Sequence, residues 1–214
     1  SLVNTLFGRF GLVVLVPDNP VFKQQLISVF KDDLYRHNAL PLVEQTGKRL
    51  QDAGYKEQAH PRSINLFYLA DGIRNRIEET EGGFKVVDTD LQFTADAMLQ
   101  ELEQHPERFS PNVILRGIMQ ETVLPNILFL GGGGELAFWL QLQGVFAHYK
   151  VPFPILLLRN SFLIFDKEQR KKIDKLGLEE ADIFLPETEL LNKLVKRDTA
   201  HELSLANAIE QLKT

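Results

Sequence analysis

Cysteine is absent from the chain, which excludes disulfides, thiolate catalysis and any thiolate-bound metal. That absence fits a reducing compartment. No apolar run approaches the roughly 20 residues needed to span a bilayer, and the start shows no signal-peptide pattern. The five histidines are scattered, without the close His/carboxylate spacings of common zinc motifs, so no metal is expected. There is no basic excess either. Lys and Arg number 24 against 29 Asp and Glu, a formal net charge of −5, which gives no support to a nucleic-acid or membrane-surface partner. Repeats and low-complexity segments are lacking as well.

What is present is an ordinary globular composition, 44% hydrophobic and 25% charged. The 214 residues suffice for one substantial core, or for one domain with a smaller insert. The Ser-Leu-Val start and a helical pattern running uncapped to Thr214 read as a piece of a longer protein.

The chain is organised around residues 126–149, Asn-Ile-Leu-Phe-Leu-Gly-Gly-Gly-Gly-Glu-Leu-Ala-Phe-Trp and onward. A strand-length apolar run meets four glycines and then a helix-forming segment apolar almost all round, which predicts a strand, a turn and a buried helix. Ligands of α/β proteins gather at the carboxyl ends of strands, so a site is expected near residues 131–135. Upstream, residues 12–16 read as a doubly buried parallel strand. Asn19 and Pro20 open a helix whose core face is Phe22, Leu26, Phe30 and Leu34. A second helix runs from Pro41 to Ala53, with Gly54 as its stop.

After Tyr55 the pattern changes. Residues 64–69, 73–79 and 84–87 are short strand candidates joined by Asp71-Gly72 and Gly82-Gly83, a β-meander. Thr94 caps a helix that His105-Pro106 ends. Ser110-Pro111 begins another, running to about Val123. Residues 155–158 form a further apolar strand that residues 162–165 extend or follow. Asp166 and Gln169 make a capping box, and amphipathic helices follow Pro186 through Leu190, Leu194, Leu203, Ile209 and Leu212. The expected fold is α/β. A Rossmann-like parallel sheet is built from residues 1–58 and 106–177, residues 59–105 form an inserted antiparallel lobe, and residues 178–214 are helical.

Several residues could carry chemistry. Gly131, Gly132, Gly133 and Gly134 would let the backbone reach positive φ and bring N–H groups to an anion at a helix start. The turn lacks the Lys-Ser/Thr of a P-loop, and a plain tight turn is the alternative. Glu135 is either a first-turn acid on the helix dipole or a carboxylate that holds an amine or acts as base. Trp139 is either core or a stacking platform. Asn112, Arg116 and Gln120 recur every four residues as a polar stripe on an apolar helix. Such a stripe faces water, or aims a guanidinium fork at a carboxylate, with Glu121 beside it. Arg159, Asn160 and Ser161 follow an apolar strand at its carboxyl end, either as a site or as a simple loop. His105, His148 and His201 read as helix-end residues, and the Lys-rich run 167–175 as a solvated face.

The run from His105 through Arg116, Gln120 and Glu121, then Leu-Pro, the glycine turn, Glu135 and Trp139, resembles the bacillithiol biosynthesis cysteine-adding enzymes. The likeness continues through Gly11-Leu-Val-Val-Leu, Ala53-Gly-Tyr55, Asn65-Leu-Phe67-Tyr68 and Pro154 to Arg159. Family members usually read Gly-Pro-Gly-Glu where this chain has Gly132, Gly133, Gly134 and Glu135, and proline is also usual at Gly117. The resemblance implies a cytoplasmic ligase with a Rossmann-like core and a coiled-coil arm through which the full protein could dimerise. It also implies the amide-forming step between cysteine and glucosaminyl-malate, with small molecules as partners. The activating cofactor stays open, ATP being the analogy from related cysteine ligases. On this reading Arg116, Gln120 and Glu135 are the catalytic candidates. The alternative is a non-catalytic Rossmann-like module that binds a nucleotide or a sugar acid.

Overall fold

The computed structural model describes residues 2–198. The helical stripe expected through Leu203, Ile209 and Leu212, and His201, lie outside the described residues. The chain is mixed α/β and divides into two compact units, Ser1–Arg159 and Asn160–Thr214.

In the first unit, helix α1 (Leu2–Phe7) and a 3-10 turn lead to residues 12–16. These were expected as a buried strand. The structure corrects this: the run pairs with no strand among the described residues, and Val13 is 75% exposed. A wholly apolar strand needs ladders and covered faces on both sides, and the described residues supply neither.

Asn19 caps α2 (Pro20–Gln24) by accepting from Val21 N at 2.9 Å. The chain then breaks briefly before α3 (Ile27–Tyr35), so the single expected helix is two. Their buried line is Lys23, Leu26, Phe30, Asp33 and Leu34, with Phe22 only half-buried. Helix α4 (Ala39–Asp52) carries Pro41 in its first turn, where the missing N–H leaves no intrahelical bond unmade. Gly54 closes it in the left-handed region at φ +85°.

The meander is a five-stranded antiparallel sheet in the order β4-β3-β2-β1-β5. Its strands are β1 (Leu66–Ala70), β2 (Ile73–Thr80), β3 (Gly83–Val86), β4 (Gln92–Phe93) and β5 (Phe109–Pro111). Leu66 and Tyr68 on β1, Ile77 on β2, and Phe84 and Val86 on β3 are buried, the alternation of a sheet packed on one face. Met98 and Leu102 of α5 (Ala95–Gln104) join that core, with Thr94 capping the helix as expected. β5 was not foreseen. It pairs with β1 in the register Leu66↔Pro111 and Phe67↔Ser110, so the following helix, α6 (Val113–Val123), starts after Asn112 rather than at Ser110.

β6 (Leu128–Gly131) is joined to β7 (Ile155–Leu158) through α7 (Gly133–Gln141) and α8 (Gln143–Tyr149). The two strands are parallel, in the register Leu128↔Ile155 to Gly131↔Leu158, a βαβ unit. Trp139, Leu142, Val145 and Phe146 are buried, whereas Leu140 is 44% exposed, so the helical segment is covered on one side and not all round. Phe129 stacks on Trp139 at 4.4 Å between ring centres, and Phe153 meets Phe146 edge-on at 5.0 Å. The other strand face is open: Leu128, Leu130, Ile155 and Leu157 are exposed. The larger sheet is therefore antiparallel, and the parallel sheet holds two strands among the described residues.

In the second unit, residues 162–165 form no strand, against expectation, and Phe162 and Ile164 are exposed. Asp166 and Gln169 make the expected capping box of α9 (Lys167–Lys175), whose lysine-rich face is solvated. Helix α10 (Glu187–Asp198) is the last element among the described residues, and its Lys193 pairs with the buried Asp182.

Candidate functional site

Arg116 and Gln120 of α6 line a cavity of about 260 Å³, together with Asp18, Lys23 and Ser110. Its remaining wall is largely apolar, from Leu15, Phe22 and Met119 among others. The i, i+4 spacing of the polar stripe puts both side chains on one helix face. The Arg116 guanidinium has no hydrogen-bond or ion-pair partner among the described residues; only its backbone N–H is used, donating to Asn112 O. Gln120 donates its Nε2 to Glu121 at 2.9 Å, and its side-chain oxygen Oε1 has no protein donor among the described residues. Both residues are exposed, so the stripe is open to water along the cavity edge; an unpaired guanidinium so placed beside an apolar wall can receive a planar anion such as a carboxylate. Larger hollows, about 360, 440 and 570 Å³, lie elsewhere on the unit; of the residues singled out from the sequence they hold Glu121 alone, in the 360 Å³ one.

Asn112, the third member of the stripe, and Glu121 beside it have structural tasks. Asn112 is the N-cap of α6, accepting from Ile114 N at 2.8 Å, and its Nδ2 donates to Asn65. Glu121 is buried at 1% exposure and accepts from Gln120 Nε2, Asn126 N and Asn126 Nδ2. It therefore fixes the turn between α6 and β6 instead of facing the cavity of Arg116.

At the carboxyl end of β6, none of Gly131, Gly132, Gly133 and Gly134 takes a positive φ, which corrects the reason expected for the glycines. Close approach explains Gly131 and, less strictly, Gly132, whereas a Cβ at Gly133 would meet nothing within 4 Å and one at Gly134 only Gln58 Oε1 at 3.8 Å. A Cβ at Gly131 would lie 2.7 Å from Phe129 Cε1, and one at Gly132 would lie 3.0 Å from Arg159 Nη2. Glu135 Oε2 accepts from Gly132 N at 2.7 Å and pairs with Arg159 at 3.3 Å. The side chain thus caps its own helix and neutralises the guanidinium beside the turn. Trp139 is core, 5% exposed among Phe129, Phe146 and Phe153. Asn160 and Ser161 are exposed and belong to the second unit. The cavity wall that holds Arg116 and Gln120 contains no residue of the glycine turn, so the structure divides the expected residues between two places.

Two buried charged residues were not anticipated, and the first of them lines the cavity. Lys23 is 1% exposed; its ammonium donates to the carbonyl of Phe109 and pairs with Asp18 at 3.2 Å. Burial pushes its pKa below the usual lysine range, opposed by the Asp18 carboxylate and reinforced by the positive charges of Arg116 and Arg74. The signal was in the sequence, because Lys23 falls three residues before Leu26 and seven before Phe30, on the apolar line of the helix.

Asp33 lies on the same line. It is fully buried and accepts from Asn65 N at 2.6 Å and Asn65 Nδ2 at 3.0 Å. Burial raises its pKa to about 6, and the two Asn65 hydrogen bonds oppose that shift. Through Asn65 it connects α3 to Asn112 at the start of α6, and so to the helix that presents Arg116.

Residues 1–160 match the family model described as "Bacillithiol biosynthesis BshC, N-terminal Rossmann-like domain". A protein of Christiangramia forsetii described as "Putative cysteine ligase BshC" is 39% identical over 211 residues, covering 99% of this chain and 39% of the relative. Proteins with the same description from Flavobacterium johnsoniae and Salinibacter ruber are 40% and 35% identical, over 100% and 85% of this chain. The chain thus spans about two fifths of the length of the Christiangramia and Flavobacterium relatives. With a family match over three quarters of its length and likeness to these relatives through nearly all of it, the chain belongs to the BshC family of bacillithiol biosynthesis proteins.

Proposed function

We propose that this chain is the part of a cytoplasmic bacillithiol-pathway ligase that receives a substrate carboxylate, in a reaction joining cysteine to glucosaminyl-malate through an amide. The observation that carries the reading is the unpaired Arg116 guanidinium in the 260 Å³ cavity, with Gln120 one turn along the same helix. Amide formation requires the cysteine carboxyl group to carry a leaving group and the glucosamine nitrogen to arrive deprotonated and aligned. Arg116 would hold a carboxylate by a two-point fork. The side-chain Oε1 of Gln120 would accept from an amine or hydroxyl of the substrate.

ATP is the activating agent that related cysteine ligases suggest. The glycine turn is a poor match for its phosphates, because Glu135 already accepts from Gly132 N and pairs with Arg159. An incoming phosphate would have to displace that carboxylate against charge repulsion. No step is therefore assigned to these residues through ATP.

The finer architecture belongs to the same proposal. β6 and β7 would be members of a Rossmann-like parallel sheet, with residues 59–105 as an inserted lobe and residues 178–214 leading to a coiled coil that pairs two copies. In support, β6 and β7 are apolar on both faces while helices cover one. The test is amide formation from cysteine and glucosaminyl-malate by the full-length protein, read by mass spectrometry. Arg116→Ala is expected to lower turnover at least about tenfold; unchanged turnover would remove Arg116 from the site.

A further inference from the structure

The floor of the cavity contains a charge that the reading above does not use. Lys23 is as deeply buried as the core leucines around it. Taking an ammonium out of water is unfavourable by several kcal/mol unless a good partner compensates. Its ionic partner, Asp18, is a poor one: it sits on an irregular segment, with its side chain 54% exposed. For stability alone, a methionine at this position would fill the same space without the penalty.

The local charge is also unbalanced. Lys23 and Arg116 line the cavity against the single carboxylate of Asp18, and Arg74 adds a further positive field at Lys23. An ammonium has three donors, of which Phe109 O and Asp18 take two.

We propose that Lys23 and Arg116 form a two-cation receptor for a substrate carboxylate, with Asp18 as the counter-ion that the carboxylate displaces. This rests on the cavity being the substrate site, and it makes Lys23 a binding residue there. The apolar wall, Met119 and Val123 included, strengthens the attraction by lowering the local dielectric. The size restricts the ligand. At about 260 Å³ the cavity lies just below the ~300–1,000 Å³ range of small-molecule pockets, which suits an amino acid or a hydroxy acid and not a nucleotide. Both proposed substrates carry such a group, cysteine as its own carboxylate and glucosaminyl-malate in its malyl part.

The test uses the full-length protein and isothermal titration with L-cysteine and L-malate as separate probes, so that the two sources of the carboxylate are told apart. Lys23→Met and Arg116→Ala are each expected to weaken binding of one probe roughly 10- to 100-fold. Asp18→Asn removes the competing counter-ion and is expected to tighten the same probe several-fold. That gain is one a merely structural Lys23–Asp18 pair would not produce.

Circular dichroism melts separate lost binding from lost folding, and the half-exposed Asp18 keeps the test open if Lys23→Met does not fold. Unchanged or weaker binding in Asp18→Asn would overturn the proposal, as would failure of both probes to bind the wild type. Amide formation is assayed in parallel. Product with no Asp18 effect would sink the receptor and leave the ligase reading standing; probe binding that tightens in Asp18→Asn without product would do the reverse.

Discussion

Replacing Gly133 by proline is expected to stabilise the protein, for reasons that can be read at the turn. Gly133 is the first residue of α7, where an N–H has no intrahelical acceptor and proline is favoured. A Cβ placed there meets nothing within 4 Å. The preceding residue, Gly132, has φ −72° and ψ 168°, the extended conformation that a following proline requires. All three conditions for a compatible Xaa→Pro change hold, so the gain is the entropy removed from the unfolded chain, about 0.4–1 kcal/mol. For a chain of this size that is a rise of about 1–4 °C in the melting midpoint.

The neighbouring glycines supply the contrast. Gly131→Ala would drive a methyl to 2.7 Å from Phe129, whose ring is held on Trp139, and overpacking of that kind destabilises by about 1–3 kcal/mol. Gly132→Ala meets only the mobile guanidinium of Arg159 and should be mild. Thermal melts of the three variants decide the matter. A lower midpoint for Gly133→Pro, or a neutral Gly131→Ala, would refute the account of the turn. The proline substitution also removes one N–H from the turn, so unimpaired turnover in Gly133→Pro would show that this N–H holds no substrate anion.

Other predictions concern the residues around the cavity and the core. Trp139→Ala should lower stability by about 3–5 kcal/mol in urea titration, the loss typical of a buried aromatic residue. Glu121→Gln leaves a buried donor of the α6–β6 turn unmatched and should lower stability by about 1–3 kcal/mol; an unchanged urea midpoint would contradict the role given to Glu121. The carboxyl carbon of Asp33 should titrate by NMR near pH 6, raised from 3.8 by burial. Because the native state then binds the proton more tightly than the unfolded one, the Asp33 contribution to stability is fully present below about pH 4 and is lost as pH rises through about 6. A midpoint below pH 4 would show that the Asn65 hydrogen bonds outweigh burial.

The legible parts of this fold were those set by local chemistry. Asn19, Thr94 and Asp166 were readable as caps because each hydrogen-bonds its own helix start. The meander was readable because its strands pair with sequence neighbours through short turns. Residues 12–16 and 162–165 have the apolar character of strands, but a strand exists only through a partner, and the described residues provide none. β5 was hidden for the converse reason, since three residues beside a proline carry little periodicity and are held by pairing with distant β1.

At the candidate site, the helical spacing of Arg116 and Gln120 was enough to put them together. The same spacing could not tell that Asn112 caps the helix or that Glu121 turns inward to Asn126. Lys23 is hidden by its neighbour: Phe22, one position away on the helix, is the residue that an apolar line through Leu26, Phe30 and Leu34 selects.

The most direct test of the central claim is product formation by the full-length protein. It is incubated with cysteine and glucosaminyl-malate, with and without ATP, beside its Arg116→Ala variant, and the amide is followed by mass spectrometry. The account predicts product with the wild type and a loss of at least about tenfold with the variant; any dependence on ATP would identify the activation route. Well-folded wild type that makes no amide under either condition, or a variant that makes as much as the wild type, would contradict it.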